Sequence, residues 1–362
     1  MVPYHTIPQL HTNISNMRLR LASLLRLLFV CWMSCEAYST APVRSVVVVG
    51  GTHGNEYTGV WVIRQLEQAE KAGKLAEQYT TLDITTLLAN PEAHRQNKRF
   101  IDDDLNRQFS AERLTAAKRK DPSSLPYEAR RALELDALLG PKLADDDENS
   151  NNDNPKQDLI VDLHTTTANM GITIIIPESD AIMGQAAAYI LLQCRQHYHQ
   201  AKAQILMHPL PDRKHRPNLG SIAKHALTIE VGPVAQGVLR HDVVEQTNLA
   251  LHALLEFLER RNRGQTEALL AKLQKAFPHH AVPCYRSAQA KRPGEMSGKV
   301  SWPSDENNPN FPALLVHRSI QDGDWKAIRK GDPIFVKLDG TEVAYDGSHD
   351  DVVHVMFVNE GG

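Results

Sequence analysis

One short segment constrains the fold of this chain more than any other. Residues 45–49 read SVVVV and are followed by Gly50 and Gly51. A continuous run of β-branched residues is typical of a strand that is buried on both faces of a sheet. Residues 56–71 have apolar positions at helical spacing. The sequence therefore predicts a strand, a loop and a helix here, with the loop at the carboxyl end of the strand.

The same alternation continues along the chain. Strands that alternate with helices favour an α/β fold with a largely parallel central sheet. Beyond residue 264 the sequence is rich in Pro, Gly and short apolar runs, which predicts a smaller β-rich unit. Further buried strands are predicted at residues 82–89, 159–163, 172–176, 205–208 and 227–231, and helices at 127–139, 181–197 and 242–261.

Composition excludes some classes of protein. A length of 362 residues predicts two structural units, or one large unit with an appendage. A formal net charge of -3 provides no overall basic field, so nucleic acid is not an expected partner. Cys31 and Cys35 lie near the N-terminus, and Cys194 and Cys284 are too isolated to indicate a disulfide framework or a zinc ribbon.

Two segments fall outside the predicted fold. Residues 17–37 have the order of a secretory signal, with arginines, an apolar stretch interrupted by Arg26 and then small residues. The stretch is too short for a membrane span. A plastid-directed leader, a disordered extension and a misplaced start codon are the alternatives for residues 1–42. Residues 145–157, DDDENSNNDNPKQ, predict a solvated loop rather than a calcium site.

Residues capable of binding a metal follow two of the predicted strands. His53 and Glu56 form an H-x-x-E pair in the loop GGTHGNE, and His164 follows the strand at residues 159–163. Open α/β sheets bind ligands at the carboxyl ends of their strands. Two imidazoles and a carboxylate are the ligand set of a catalytic zinc site. Each signal is weak alone, because a single histidine at a strand end is more often a packed residue.

Two further segments place charged residues where they are suited to catalysis. In KRFIDDDLNR, Arg99 can polarise a carbonyl oxygen, while Asn106 and Arg107 can bind a carboxylate. A solvated charged face is the alternative. Glu230 lies in a buried strand, where a carboxylate needs a partner. It is either a general base that activates water or a salt-bridged core residue.

Taken together and in this order, GGTHGNE, RFIDDDLNR, DLHTTTANMG and IEVGP with QGVLR resemble the aspartoacylase and aminoacylase 3 family of the metallocarboxypeptidase superfamily. Weaker blocks such as PYEARRALELDALLGPK extend the resemblance over most of residues 45–360. It implies a carboxypeptidase-like α/β domain at 43–264, with a mixed central sheet flanked by helices. A smaller β-rich domain would follow at 265–362 and narrow the entrance to the site.

The resemblance also implies an activity and a cofactor. One Zn²⁺ per subunit would be held by His53, Glu56 and His164. The enzyme would hydrolyse the amide bond of a small N-acyl amino acid, such as N-acetylaspartate. A cytoplasmic location and a homo-oligomer without a stable membrane span are in line with the family.

Individual roles follow from the same resemblance. Glu230 would be the general base and then the proton donor to the leaving amine, while Arg99 would stabilise the oxyanion and contact the substrate. Asn106 and Arg107 would hold the α-carboxylate of the substrate. Asp104 would orient a histidine ligand of the zinc, as carboxylates commonly do at metal sites.

Two departures from the family pattern affect the substrate. Residues 216–224 read RPNLGSIAK, with Gly220 in place of the arginine that grips the side-chain carboxylate of aspartate. Arg216 replaces a tyrosine, and it is the candidate for a substitute cation together with Arg213 and Lys214. The chain ends in EGG where the family continues to a substrate-contacting tyrosine. Either the reading frame is incomplete or the site lacks that hydroxyl.

Three hypotheses remain open. The leading one is a hydrolase of small N-acyl amino acids. The second keeps the zinc chemistry but acts on other substrates, such as N-succinyl amino acids or the carboxyl terminus of a peptide. The third, from a different class, is a zinc-binding protein without turnover.

Overall fold

The structure is a computed structural model. It describes residues 41–142, 155–197, 202–209, 212–277, 281–288, 313–358 and 360. The predicted leader lies almost wholly outside these residues, as do residues 145–154 of the acidic loop. Among the helices that the structure describes, none is long and apolar enough to cross a membrane.

A seven-stranded sheet forms the centre of the fold. Its neighbouring strands are parallel except for one antiparallel pair, so the sheet is mixed and largely parallel, as predicted. In chain order the strands are β1 (Ser45–Gly50), β2 (Asp83–Leu88), β3 (Leu159–Thr165), β4 (Gly171–Pro177), β5 (Ala203–His208), β6 (His225–Gly232) and β7 (Tyr285–Arg286). In space their order is β2-β1-β3-β6-β4-β5-β7, and the antiparallel pair is β4 and β6.

Helices and loops cover both faces of this sheet. Val46 and Val48 pack against one group of helices, while Val47 and Val49 face the opposite cluster, because successive side chains of a strand alternate between faces. This double burial explains the continuous apolar run of β1. The helices are α1 (Tyr57–Lys71), α2 (Lys74–Gln78), α3 (Pro91–Arg95), α4 (Ala111–Lys118), α5 (Tyr127–Leu139), α6 (Ala181–His197), α7 (His241–Asn262) and α8 (Thr266–Ala276).

The C-terminal part of the chain is rich in short strands, as predicted. An antiparallel three-stranded sheet has the order β11-β10-β8, and β12 pairs antiparallel with β9. The two-residue strand β7 joins the central sheet instead, so the division at residue 264 stays a prediction. These strands are β8 (Leu314–Val316), β9 (Ala327–Arg329), β10 (Pro333–Lys337), β11 (Glu342–Ala344) and β12 (Val352–His354).

The C-terminal strands dock beside the loop that follows β3. The indole of Trp325 packs with Met170 and donates a hydrogen bond to the Met170 carbonyl at 2.9 Å. The carboxylate of Asp324 accepts from the backbone nitrogens of Asn169 at 2.9 Å and Val358 at 3.0 Å. Since Asp324 is buried, these bonds hold Val358 beside the loop that follows β3. Cys194 and Cys284 are both free.

Candidate active site

The sheet brings the three predicted metal ligands together. His53 and Glu56 lie in the loop between β1 and α1, and His164 lies in the neighbouring strand β3. One ligand atom from each residue lies within 4.8 Å of the other two. Nδ1 of His53 is 2.6 Å from Glu56 Oε1, and Nδ1 of His164 is 3.0 Å from Oε2 of the same carboxylate. All three side chains are buried, so they enclose one shared point.

The donor set fits a zinc ion. Zinc bonds to nitrogen and oxygen are about 2.0 to 2.2 Å long, so the ligand atoms of one ion lie at most about 4.4 Å apart. The ligand atoms here lie within 4.8 Å of one another, so small side-chain movements would bring them to the distances that zinc requires. Burial acts to raise the pKa of Glu56, but the charges of His53 and His164 and their hydrogen bonds lower it well below its usual range. Glu56 is therefore anionic, as a carboxylate that binds zinc has to be.

A carboxylate lies behind each imidazole. Nε2 of His53 is 3.2 Å from Asp104 Oδ1, the contact that the sequence predicted. Nε2 of His164 is 2.9 Å from Asp162 Oδ2, although this atom finds no aligned hydrogen-bond partner among the described residues. Asp162 was not predicted, but the D-x-H spacing of DLH was a signal for it. Such carboxylates fix ring orientation and make the opposite nitrogen a better ligand.

Glu230 lies directly beside the metal ligands. Its register partner on the parallel strand β3 is His164, so both side chains point to the same face of the sheet. Burial raises the pKa of Glu230 well above its usual range, with Glu56 and Glu360 adding to the shift and His164 and Arg99 opposing it. A carboxylate with raised pKa near an open metal position can take up a proton and return it.

Arg99, Asn106 and Arg107 lie on the adjoining loop, where Arg107 is the most exposed of the three. Nη1 of Arg99 is 3.2 Å from Glu56 Oε1, which places its charge next to the ligand cluster. Oδ1 of Asn106 accepts from the backbone nitrogen of Leu219 at 2.9 Å, so the amide nitrogen faces away from that bond. Arg107 is half exposed and lies 3.9 Å from Asp104 Oδ2. Of these three residues, Arg99 contacts the ligand cluster directly, and Arg107 lies beside Asp104, which contacts His53.

Arg213, one of the three candidates for a substrate-binding cation, holds the loop at residues 212–223 together. The guanidinium of Arg213 donates to the carbonyls of Ser221, Ile222 and Lys142 at 2.9 to 3.2 Å. Arg216 is half-buried. Burial lowers the pKa of Arg216, whereas the charges of Asp180 and Asp212 raise it, and neither carboxylate belongs to the ligand cluster.

Gly220 has no room for a side chain in this backbone. The residue is buried in the short helical turn Leu219–Ile222. A Cβ atom added to Gly220 would lie 2.9 Å from the Cβ atom of Ala226, tighter than real contacts between such atoms. The position that carries the substrate-binding arginine in the resembling family is therefore closed here by packing.

Glu360 is a second charged residue near the site that the sequence did not predict, after Asp162. Thr166 Oγ1 donates to Glu360 Oε2 at 3.0 Å, two residues beyond His164. Burial raises the pKa of Glu360, and the charge of Glu56 adds to the shift while Thr166 and Arg99 oppose it. The only signal was the block MFVNE near the chain end, which carries no chemical motif.

Comparison with known proteins agrees with this geometry. Residues 42–258 match the succinylglutamate desuccinylase/aspartoacylase catalytic domain, and residues 295–361 match the AstE/AspA barrel-sandwich hybrid domain. Mouse (Mus musculus) aspartoacylase is 35% identical over 90% of this chain and 90% of its own length. Human (Homo sapiens) N-acyl-aromatic-L-amino acid amidohydrolase (carboxylate-forming) is 33% identical over 88% of this chain and 86% of its own.

A solved structure shows the same fold. Murine aminoacylase 3 superposes with a TM-score of 0.66 and 27% identity, over 88% of this chain and 91% of that chain. The matches in sequence and in structure thus extend over both the central sheet and the C-terminal strands. The chain belongs to the succinylglutamate desuccinylase/aspartoacylase family.

Proposed function

We propose that this protein is a zinc-dependent amidohydrolase that converts small N-acyl amino acids to a carboxylate and a free amino acid. The observation that carries the proposal is the buried cluster of His53, Glu56 and His164 with Glu230 beside it on the next strand. The mouse and human relatives have the names of N-acyl amino acid hydrolases, which supports the same class of reaction.

Zinc, when bound by the two histidines and Glu56, would supply a Lewis acid that polarises the acyl carbonyl and lowers the pKa of water. Glu230 takes the proton of the attacking water and returns it to the nitrogen of the leaving amine, for which its raised pKa is suited. Arg99 places a positive charge where the carbonyl oxygen becomes negative.

The substrate would be oriented by its α-carboxylate. The side-chain nitrogen of Asn106 and the guanidinium of Arg107 are the donors for this group, because charge-assisted hydrogen bonds to carboxylates are strong. Asn106 is held in one orientation by Leu219. The proposed substrate therefore has a free α-carboxylate and a short acyl group.

A second candidate concerns the side chain of the substrate. Gly220 is closed by Ala226, and Arg213 is bonded to backbone carbonyls. A substrate carboxylate in this region would lose its hydration without a partner, unless Arg216 reaches it. Neutral or aromatic N-acyl amino acids are therefore preferred over N-acetylaspartate in this proposal.

A substrate panel on zinc-loaded protein tests both statements. N-acetyl, N-formyl and N-succinyl derivatives of aspartate and of neutral and aromatic amino acids are compared with a short peptide, with chelator-treated protein as the control. A higher kcat/KM for N-acetylaspartate than for the neutral and aromatic substrates would overturn the second statement. We expect turnover of N-acetyl amino acids only with zinc. Preferred turnover of N-succinyl substrates or of the peptide would replace the proposed substrate class. Tight zinc binding without any turnover would favour a binding protein.

The variant Glu230→Ala tests the assignment of the general base. We expect it to bind zinc like the wild type but to lose at least about a hundredfold in kcat, the lower range for a positioned general base. Zinc content is measured by metal analysis and kcat with the best substrate of the panel. A near-normal kcat would remove Glu230 from the proposed mechanism.

A further inference from the structure

A buried carboxylate outside the site organises the loop that carries Arg99 and Asp104. Glu128 lies in the first turn of α5 and is 0% exposed. Its Oε1 accepts from the backbone nitrogen of Ile101 at 2.6 Å and from Asn90 Nδ2 at 3.1 Å. Its Oε2 accepts from the backbone nitrogens of Asp102 at 3.0 Å and Asp103 at 3.1 Å. Three consecutive peptide groups and one amide thus surround a single anion.

This arrangement resolves an apparent conflict in the sequence. Three aspartates occupy residues 102–104, and their charges would repel Glu128 if the side chains faced it. The loop instead turns its backbone N–H groups inward, and successive N–H groups form a concave site that favours an anion. The carboxylates point elsewhere: Asp102 accepts from the backbone nitrogen of Tyr127, and Asp104 faces His53.

The same loop contacts the ligand cluster of His53, Glu56 and His164 through two side chains. Asp104 Oδ1 lies 3.2 Å from Nε2 of His53, and Arg99 Nη1 lies 3.2 Å from Glu56 Oε1. The backbone nitrogen of Gly54 also donates to the Arg99 carbonyl at 3.0 Å. This bond joins the loop to the segment that carries His53 and Glu56. Glu128 sets the backbone path between these contacts, because Ile101, Asp102 and Asp103 lie between Arg99 and Asp104.

We propose that Glu128 is a positioning residue for metal binding and catalysis. By fixing the backbone of the loop, it keeps Asp104 in contact with His53 and Arg99 in contact with Glu56. The catalytic part rests on the proposed function, whereas the metal part rests on the bond between Asp104 and His53. Partners that orient metal ligands typically contribute 10- to 100-fold to metal affinity or activity. A carboxylate with four donors cannot be replaced by an amide without turning donors against donors.

The test compares Glu128→Gln with Glu134→Gln on the same helix. Glu134 is exposed and pairs with Arg131, so its neutralisation is a matched control. We expect Glu128→Gln to raise the dissociation constant for Zn²⁺ by about 10- to 100-fold in an equilibrium competition with a chelator. Its kcat should fall, with a smaller change in KM. Glu134→Gln should match the wild type in all three quantities.

Two further variants separate positioning from general stability. Glu128→Asp keeps the charge but shortens the side chain, so it should fold and give an intermediate zinc affinity even if Glu128→Gln does not fold. Glu128→Gln combined with Asp104→Asn should weaken zinc binding by less than the product of the single effects, because both act on His53. A lower melting temperature alone would reflect only a structural role.

The outcomes separate this inference from the proposed function. Wild-type zinc affinity in both Glu128→Asp and Glu128→Gln, or independent effects in the double variant, would overturn the inference while leaving the hydrolase intact. Zinc binding is measured without substrate, so the metal part is decided even if no panel substrate is turned over. A wild-type protein that does not bind zinc would overturn both.

Discussion

At the scale of the residue, the proton affinity of Glu230 depends on a partner from the end of the chain. Burial raises the pKa of Glu230, and the negative charge of Glu360 raises it further. A general base works only after it has lost its proton, so the rate rises with pH through the pKa of Glu230. Removing the charge of Glu360 should lower that pKa, because a proton on Glu230 is then less strongly favoured.

The variant Glu360→Gln makes this testable. An amide oxygen can still accept from Thr166, so the contact is kept while the charge is lost. We expect the acidic limb of kcat/KM to move to lower pH, as recorded in a pH profile from acid to neutral conditions. An unmoved limb would show that Glu360 does not act on the base, and a shift to higher pH would contradict the assigned sign.

Gly220 also acts at the scale of one residue. Because its Cβ position is closed by Ala226, Gly220→Arg should destabilise the protein by about 1–3 kcal/mol, the usual effect of overpacking. It should not create a preference for N-acetylaspartate. Unfolding midpoints and the ratio of kcat/KM between acidic and neutral substrates measure both effects. Gly184→Arg is the control, since a Cβ atom there meets nothing within 4 Å.

At the scale of the element, Lys142 joins three segments near Asn106, one of the residues proposed to bind the substrate carboxylate. Its ammonium is buried and donates to the Phe109 carbonyl at 2.6 Å, and to the Arg216 carbonyl and Ser221 Oγ at 2.7 Å each. Burial lowers the pKa of Lys142 to about 7. The bonded loop in turn orients Asn106 through Leu219.

Lys142→Met should therefore loosen the loop without touching the metal cluster. Buried acceptors without a donor cost about 1–3 kcal/mol each, so we expect lower stability and a KM raised by about tenfold, with kcat changed less. Steady-state kinetics and thermal unfolding measure these effects. Lys156→Met is the control, because Lys156 is exposed and, among the described residues, donates to the Leu138 carbonyl at the surface. A loss in kcat alone would contradict this role.

The elements also show where sequence patterns are informative. The helices at residues 127–139 and 181–197 were predicted at their observed bounds, because apolar spacing over many residues is a strong signal. The antiparallel direction of β4 was not predicted, since local periodicity does not encode strand direction. Strands of two or three residues, such as β7 and β9, are too short to produce a pattern.

The site residues also divide into those that local sequence patterns reveal and those that depend on long-range contacts. His53, Glu56, His164 and Glu230 lie at or near the ends of buried strands, where a polar residue is conspicuous in the sequence. The roles of Glu128 and Glu360 depend on contacts between distant segments. Such contacts are set by the register of the strands and the course of the loops, which local sequence patterns do not encode.

At the scale of the whole molecule, the docking of the C-terminal strands depends on Asp324. Asp324→Asn should leave one of the nitrogens of Asn169 and Val358 without an acceptor, at about 1–3 kcal/mol. We expect easier proteolysis near residue 358 and a lower melting temperature, with zinc affinity unchanged. Limited proteolysis followed by mass spectrometry measures the first effect. Unaltered cleavage kinetics would show that Trp325 and its neighbours suffice for docking.

The position of Glu360 has a consequence for biosynthesis. Every residue of the ligand cluster precedes residue 165, so these side chains leave the ribosome long before Glu360 is translated. Glu360 contributes no atom to the ligand cluster, so the cluster is complete without it while the base would lack its distant partner. A stop codon shortly before position 360 would therefore yield a protein with an intact cluster but an altered pH optimum, a defect that metal analysis alone would miss.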